Sequence, residues 1–208
     1  MISDADKQEI VGRYTRRFEE FGVDLRSLNP GREEHYRLQH AVHAAAGPMN
    51  GKTVLDIGCG LGHYYEFLRA QGCEVDYIGY DLVPAFIESN RERFPQARFE
   101  LRDVSRDGIG HEADYIVMCQ VFNNRYSEGS NDDIVKAAVS AAFDSARICV
   151  SVDMLSKYVN YEEPRLNYFS PEEMFAHGKT LTPFVQLRHD YLPFHFTLLV
   201  YKTPAFLS

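Results

Sequence analysis

The 208-residue chain is 45% hydrophobic and carries a formal net charge of −8, which suits one domain with a substantial core. Its acidic balance, with no Lys/Arg cluster beyond pairs such as Arg16-Arg17, argues against a nucleic-acid substrate, because that binding relies on basic surface. Cys59, Cys73, Cys119 and Cys149 form no Cys-x-x-Cys pair, so they read as reduced core thiols and no metal site is expected.

The N-terminus lacks a basic n-region and an apolar h-region, and no apolar run approaches the roughly 20 residues that span a bilayer. A cytoplasmic protein without a membrane segment is expected. Residues 4–22 predict a helix capped by Ser3 or Asp4 and stopped at Gly22, with Ile10, Tyr14, Phe18 and Phe21 as its apolar stripe. Asn29-Pro30-Gly31 predicts a turn, and 32–46 a second helix. The apolar run Val54-Leu55-Asp56-Ile57 then enters the glycine turn Gly58-Cys59-Gly60-Leu61-Gly62-His63, followed by a helix over 62–71. Strand, glycine turn and helix form the unit that cradles a nucleotide-like ligand. A second strand, 75–80, ends at Asp81, nineteen residues past Gly62, where a carboxylate can accept hydrogen bonds from a ribose diol. A helix over 84–93 starts at Pro84.

Further on, 99–101 predicts a short strand, 114–119 a buried one, and 132–145 a helix capped by Asn131 or Asp132. Residues 147–153 predict a fifth strand and Ser170-Pro171-Glu172-Glu173 a helix start. Residues 185–191 and 194–201 predict a closing hairpin around Leu192-Pro193. Strand–helix alternation with apolar strands indicates an α/β fold, a mostly parallel sheet with helices on both faces.

The turn departs from the dinucleotide fingerprint, because its sixth position is His63 instead of glycine. The pattern Asp56-x-Gly58-x-Gly60-x-Gly62 resembles motif I of the class I S-adenosylmethionine (SAM) methyltransferases. The resemblance covers roughly residues 50–155 and, more weakly, the whole chain. It implies a seven-stranded Rossmann-like sheet whose antiparallel last strand inserts next to the fifth, a reversal that the dehydrogenase version lacks. The whole chain is then one methyltransferase domain: helices covering the cofactor in 1–48, a SAM-binding core in 50–155, a substrate-recognition insertion in 156–182 and the hairpin in 183–208.

Carried over residue by residue, the resemblance implies SAM as cofactor, with S-adenosylhomocysteine as product. Asp56, Gly58, Cys59, Gly60 and Gly62 would form the turn around its methionine part. Asp81 would hold the ribose, Leu82 would pack on adenine, and Asp103 with the Val104 N–H would meet the adenine amino group. Gln120, with Phe122 and Asn123, stands where the methionine end and the substrate would meet. Tyr14, Tyr36 and Arg37, from the covering helices, either touch ligand or pack on the sheet. Each carboxylate has a plainer reading: Asp56 as a partner of turn N–H groups, Asp81 as a helix cap, Asp103 as a turn residue.

Methyl transfer from a sulfonium is an in-line displacement, for which positioning can supply roughly 7–11 kcal/mol. A base is needed only if the acceptor must lose a proton, and His189 and Asp153 are the candidates, with Asp190 and Tyr191 behind them. Gln120-Val121-Phe122-Asn123 departs from the Asn-Pro-Pro-Tyr type of methylases acting on amide or exocyclic amino nitrogens. A small-molecule acceptor is expected, in a monomer or homodimer, with Tyr158 and Tyr161 either lining an aromatic acceptor pocket or covering the sheet. The stretch 153–171 and the later 188–191 resemble a group of bacterial methyltransferase-like proteins without an assigned substrate class. The alternatives are a non-catalytic SAM-binding protein of the same fold and a nicotinamide oxidoreductase.

Overall fold

The computed structural model describes residues 2–28 and 32–205; the turn expected at Asn29-Pro30-Gly31 lies outside them. In chain order the elements are α1 (Asp4–Phe21), a 3-10 turn (Leu25–Ser27), α2 (Glu33–Ala44), β1 (Thr53–Ile57), α3 (His63–Ala70), β2 (Asp76–Asp81) and α4 (Pro84–Arg93). There follow β3 (Arg98–Leu101), α5 (Val104–Asp107), β4 (Ala113–Met118), α6 (Asn131–Ser145), β5 (Ala146–Leu155), α7 (Pro171–Leu181), β6 (Val185–Leu192) and β7 (His195–Tyr201).

The seven strands form one sheet in the order β3-β2-β1-β4-β5-β7-β6. β1 to β5 run parallel, and β7 is antiparallel to both β5 and β6. The last strand therefore inserts beside the fifth, as the resemblance implied. The chain reverses its direction of travel between β1 and β4, and the crevice above their carboxyl ends is where such sheets bind ligands. Val54 to Ile57 are all buried, as expected for a strand covered on both faces. Leu55 and Ile57 join one apolar cluster with Val135 and Val139 of α6, and Val54 joins the other with Tyr64 and Leu68 of α3.

Serine hydroxyls start three helices. Ser3, Ser130 and Ser170 accept from the N–H groups of Asp6, Asp133 and Glu173 at 3.1–3.2 Å. The cap of α6 is thus Ser130, where the sequence suggested Asn131 or Asp132. Asn131 is engaged elsewhere: its Oδ1 accepts from Tyr126 N at 3.1 Å and its Nδ2 donates to the Asn124 carbonyl at 2.8 Å. α5 was not foreseen, and β5 runs two residues beyond the expected end, to Leu155.

Two segments cover the ligand end of the sheet. α1 lies over the loops after β3 and β4: Lys7 ion-pairs with Asp103, Asp6 Oδ1 accepts from Ser127 N at 2.9 Å, and Arg13 Nη2 donates to Asn124 Oδ1 at 2.6 Å. The strap over 157–169 pairs with the loop after β4. Asn167 N donates to the Asn123 carbonyl at 3.0 Å, and Arg125 N donates to the Arg165 carbonyl at 2.9 Å. No helix among the described residues is long and apolar enough to cross a membrane.

Candidate cofactor and acceptor site

The glycine turn is shaped by its backbone. Gly58, Gly60 and Gly62 have φ of 76°, 52° and 74°, a region open to glycine and strained for other residues. A Cβ on Gly58 would stand 2.6 Å from Val121 Cγ2, so the close approach of the loop after β4 also needs glycine there. α4 clamps the turn from the side: Asn90 Nδ2 donates to the Gly60 carbonyl and Arg93 Nη1 to the Leu61 carbonyl, both at 2.7 Å.

Two carboxylates flank the turn. Asp81 accepts from Gly60 N at 2.8 Å and from Val83 N at 2.9 Å. Burial raises its pKa and these N–H groups oppose the rise. Asp56 is buried at the end of β1, where Oδ2 accepts from the Tyr77 hydroxyl at 2.5 Å while Oδ1 has no partner among the described residues. Burial pushes the Asp56 carboxyl up to about 7. Asp103 caps α5, accepting from Ser105 N at 3.1 Å, and its pKa is lowered: burial opposes the shift, and the Lys7 and Ser105 hydrogen bonds outweigh it.

Above these groups opens a cavity of about 790 Å³, inside the 300–1,000 Å³ range of ligand pockets. The structure brings Tyr14, Asp56, Gly58, Cys59, Gly60, Asp81, Leu82, Asp103, Val104, Gln120, Phe122 and Asn123 to its wall. Gly62 does not line it and acts only on the shape of the turn, since a Cβ there would meet Phe94 Cε2 at 2.9 Å. Tyr36 joins the lining and Arg37 does not.

The structure separates the remaining predicted residues from this cavity. Tyr158 and Tyr161, 63% and 68% exposed, line a neighbouring cavity of about 520 Å³ with Phe194 and His195. Asn123 and Leu166 belong to both walls. His189 lines neither; it lies against the Phe196 and Tyr158 rings on the edge strand β6. Asp153 is fully buried beneath the cavity floor, with both oxygens hydrogen-bonded, so it does not reach a ligand in the cavity.

Several lining groups escaped the sequence reading. Arg13 stands with its guanidinium 5.2 Å from the Tyr14 ring centroid. His40 and His63 also line the cavity, and burial pushes both imidazoles down, His40 to about 3, so both are neutral near pH 7. The signal was the polar stripe Tyr36, Gln39, His40, His43 at helical spacing, all of it buried on α2. His43, Cys119 and Asp153 offer ligand-type atoms within 4.8 Å of one another. Burial raises the pKa of the Cys119 thiol, Asp153 accepts from Gln39 and Gln120, and His43 Nδ1 pairs with the Ser151 hydroxyl at 2.6 Å.

A fold with this strand order, a glycine turn at the switch point and paired acids at the ends of β1 and β2 defines a class, and the comparisons agree. Residues 55–144 match the family model described as a methyltransferase domain. Rv1506c of Mycobacterium tuberculosis, classed among the methyltransferases, is 32% identical over 165 residues, covering 76% of this chain and 96% of that one. The chain belongs to the class I SAM-dependent methyltransferases, and its cofactor is SAM. The magnesium protoporphyrin IX methyltransferase of Synechocystis PCC 6803, solved with bound S-adenosylhomocysteine, shares the fold. Its TM-score is 0.69 at 14% identity, over 95% of this chain and 100% of that one. CalS10, an amino pentose methyltransferase of Micromonospora echinaspora solved with SAM, has a TM-score of 0.62 at 18% identity, over 83% and 93% of the chains.

Proposed function

We propose that this methyltransferase acts on a small-molecule acceptor held beside the SAM methyl group in the roofed cavity. The observation that carries the reading is the roof itself. α1 and the 157–169 strap fasten onto the loop after β4, so the acceptor end is a bounded pocket and not a groove open to a polymer. The net charge of −8 supports the same reading.

In this proposal Asp81 holds the ribose hydroxyls with the lone pairs left by Gly60 and Val83. Leu82 packs on adenine, and Asp103 with Val104 faces its amino group. Gly58, Cys59 and Gly60 wrap the methionine part, the open Oδ1 of Asp56 faces that end, and Gln120 adjoins it. Arg13, half-buried and without an acidic partner in the described ion pairs, suits the methionine carboxylate. Phe122 and Asn123 flank the acceptor, and Tyr14 closes the pocket from α1. Residues 1–48 then act as cofactor cover and 156–182 as the segment that shapes acceptor choice.

Bound SAM would supply a methyl activated by its sulfonium, and Asp81, the glycine turn and the loop after β4 would hold it in line with the acceptor's lone pair. The protein's part is chiefly orientation and exclusion of water. The test is calorimetry with SAM, S-adenosylhomocysteine and NADH, followed by a methyl-transfer screen of small acceptors against protein and RNA. Micromolar binding of the first two ligands, with transfer only to small molecules, is expected; transfer to protein or RNA overturns the acceptor class.

A further inference from the structure

We propose that Gln39 and Asp153 are positioning residues that hold Gln120 in a left-handed backbone conformation, setting the main chain that borders the methionine end of the cofactor. The proposal rests on the placing of the cofactor in the roofed cavity.

Gln120 is the one non-glycine residue at positive φ among those described, with φ of 58°. Any residue with a Cβ is disfavoured there, so surrounding contacts must keep it there. They come from below as a closed ring of hydrogen bonds. Gln120 N donates to Asp153 Oδ1 at 2.5 Å, Gln120 Nε2 to Gln39 Oε1 at 2.7 Å, and Gln39 Nε2 to Asp153 Oδ2 at 2.7 Å. The second Gln39 hydrogen meets His195 Nδ1 at 3.2 Å. Burial pushes the His195 imidazole down to about 4, so near pH 7 it is neutral and can accept.

The ring admits one orientation. Turning the Gln39 amide over would set its oxygen against the Asp153 carboxylate and its NH₂ against that of Gln120. The side-chain NH₂ groups of Gln39 and Gln120 would lose their acceptors in the ring, and unpaired buried polar groups are costly. The position of Asp153 is telling as well. Its neighbours Val152 and Met154 are buried and apolar, and an apolar residue at 153 would avoid burying a carboxylate. What that carboxylate contacts is the Gln120 main chain and the residue that anchors the Gln120 side chain. Gln39 comes from α2, outside the strand–helix alternation of the core, so the ring also ties a covering helix to the floor.

The experiment uses Gln39→Leu and Asp153→Asn, each alone and combined with Gln120→Gly. S-adenosylhomocysteine affinity is read by calorimetry and the fold by thermal melting. Glycine takes a φ of about 60° without a clamp. Each single variant is expected to weaken binding at least tenfold, while in the Gln120→Gly background, set against the affinity of Gln120→Gly itself, neither change is expected to lower affinity further. A merely structural role predicts equal losses in both backgrounds, and that result, or full affinity in the single variants, overturns the proposal. Gln39→Leu keeps the test available if Asp153→Asn does not fold. If the unaltered chain binds neither SAM nor S-adenosylhomocysteine, the placing of the cofactor fails first, and this proposal with it.

Discussion

Asp81, at the end of β2, accepts the backbone N–H of Gly60 in the turn after β1, at 2.8 Å. One carboxylate thereby shapes the glycine turn, and in the proposed function the same group holds the ribose. Asp81→Ala should leave the Gly60 and Val83 N–H groups without their acceptor, lowering stability by about 1–3 kcal/mol. SAM affinity should fall on the order of 100-fold, from hydrogen bonds to a charged group. Asp81→Asn should fare little better, because its NH₂ must face one of the two N–H donors. Calorimetry and urea denaturation test both; unchanged affinity in a folded variant removes Asp81 from the site.

Gly58→Ala should suffer twice. Its φ of 76° is strained for alanine, and the new Cβ would stand 2.6 Å from Val121 Cγ2. A loss of about 1–3 kcal/mol from the backbone alone is expected. Adding Val121→Ala removes the clash but not the strain, so it should restore only part of the stability. Full recovery in the double variant would show that the φ preference carries little weight here.

Asp56 predicts a pH effect of definite sign. Its folded carboxyl lies at about 7 against an ordinary value of 3.8, with burial as the main cause. The folded state therefore holds the proton more tightly than the unfolded chain. The stability linked to this group is present near pH 4 and is lost as pH rises through 7. Asp153, also raised to about 7 by burial, slopes the same way. Asp56→Asn, which still offers Tyr77 an oxygen, should flatten part of the fall in melting temperature between about pH 4 and 8. A slope identical to that of the unaltered protein would contradict this.

His189→Phe should leave SAM affinity and transfer rate within about twofold of the unaltered protein, in line with substitutions away from a site. The ring would still pack on Phe196, and the buried Nε2, which has no partner among the described residues, would be gone. A loss of transfer of a hundredfold or more would return His189 to the reaction.

The parts of the site legible in the sequence are those encoded locally. Asp56 to Gly62 and Asp81 sit at strand ends, where residue type and spacing specify geometry, and the closing hairpin showed in its period and turn. Gln39 and Arg13 were missed because their roles depend on partners far along the chain, at Asp153 and Asn124. His189 was misplaced for another reason. β6 is an edge strand whose residues are mostly half-buried on both faces, so alternation gave no sign of which way the imidazole points. Tyr158 and Tyr161 were recognised as aromatic lining, but which cavity they line depends on the path of the strap.

The insertion of β7 between β5 and β6 bears on synthesis. β5 ends at Leu155, while the strand that pairs along its free flank begins at His195. As the nascent chain leaves the ribosome, β1 to β5 can assemble while that flank of β5 has no neighbour. Asp153 of β5 pairs with Thr197 of β7, so the floor beneath Gln120 is among the last regions to be sealed. Cofactor capture should therefore follow completion of the C-terminal hairpin, and chains stalled before β7 should display a sticky strand that chaperones recognise.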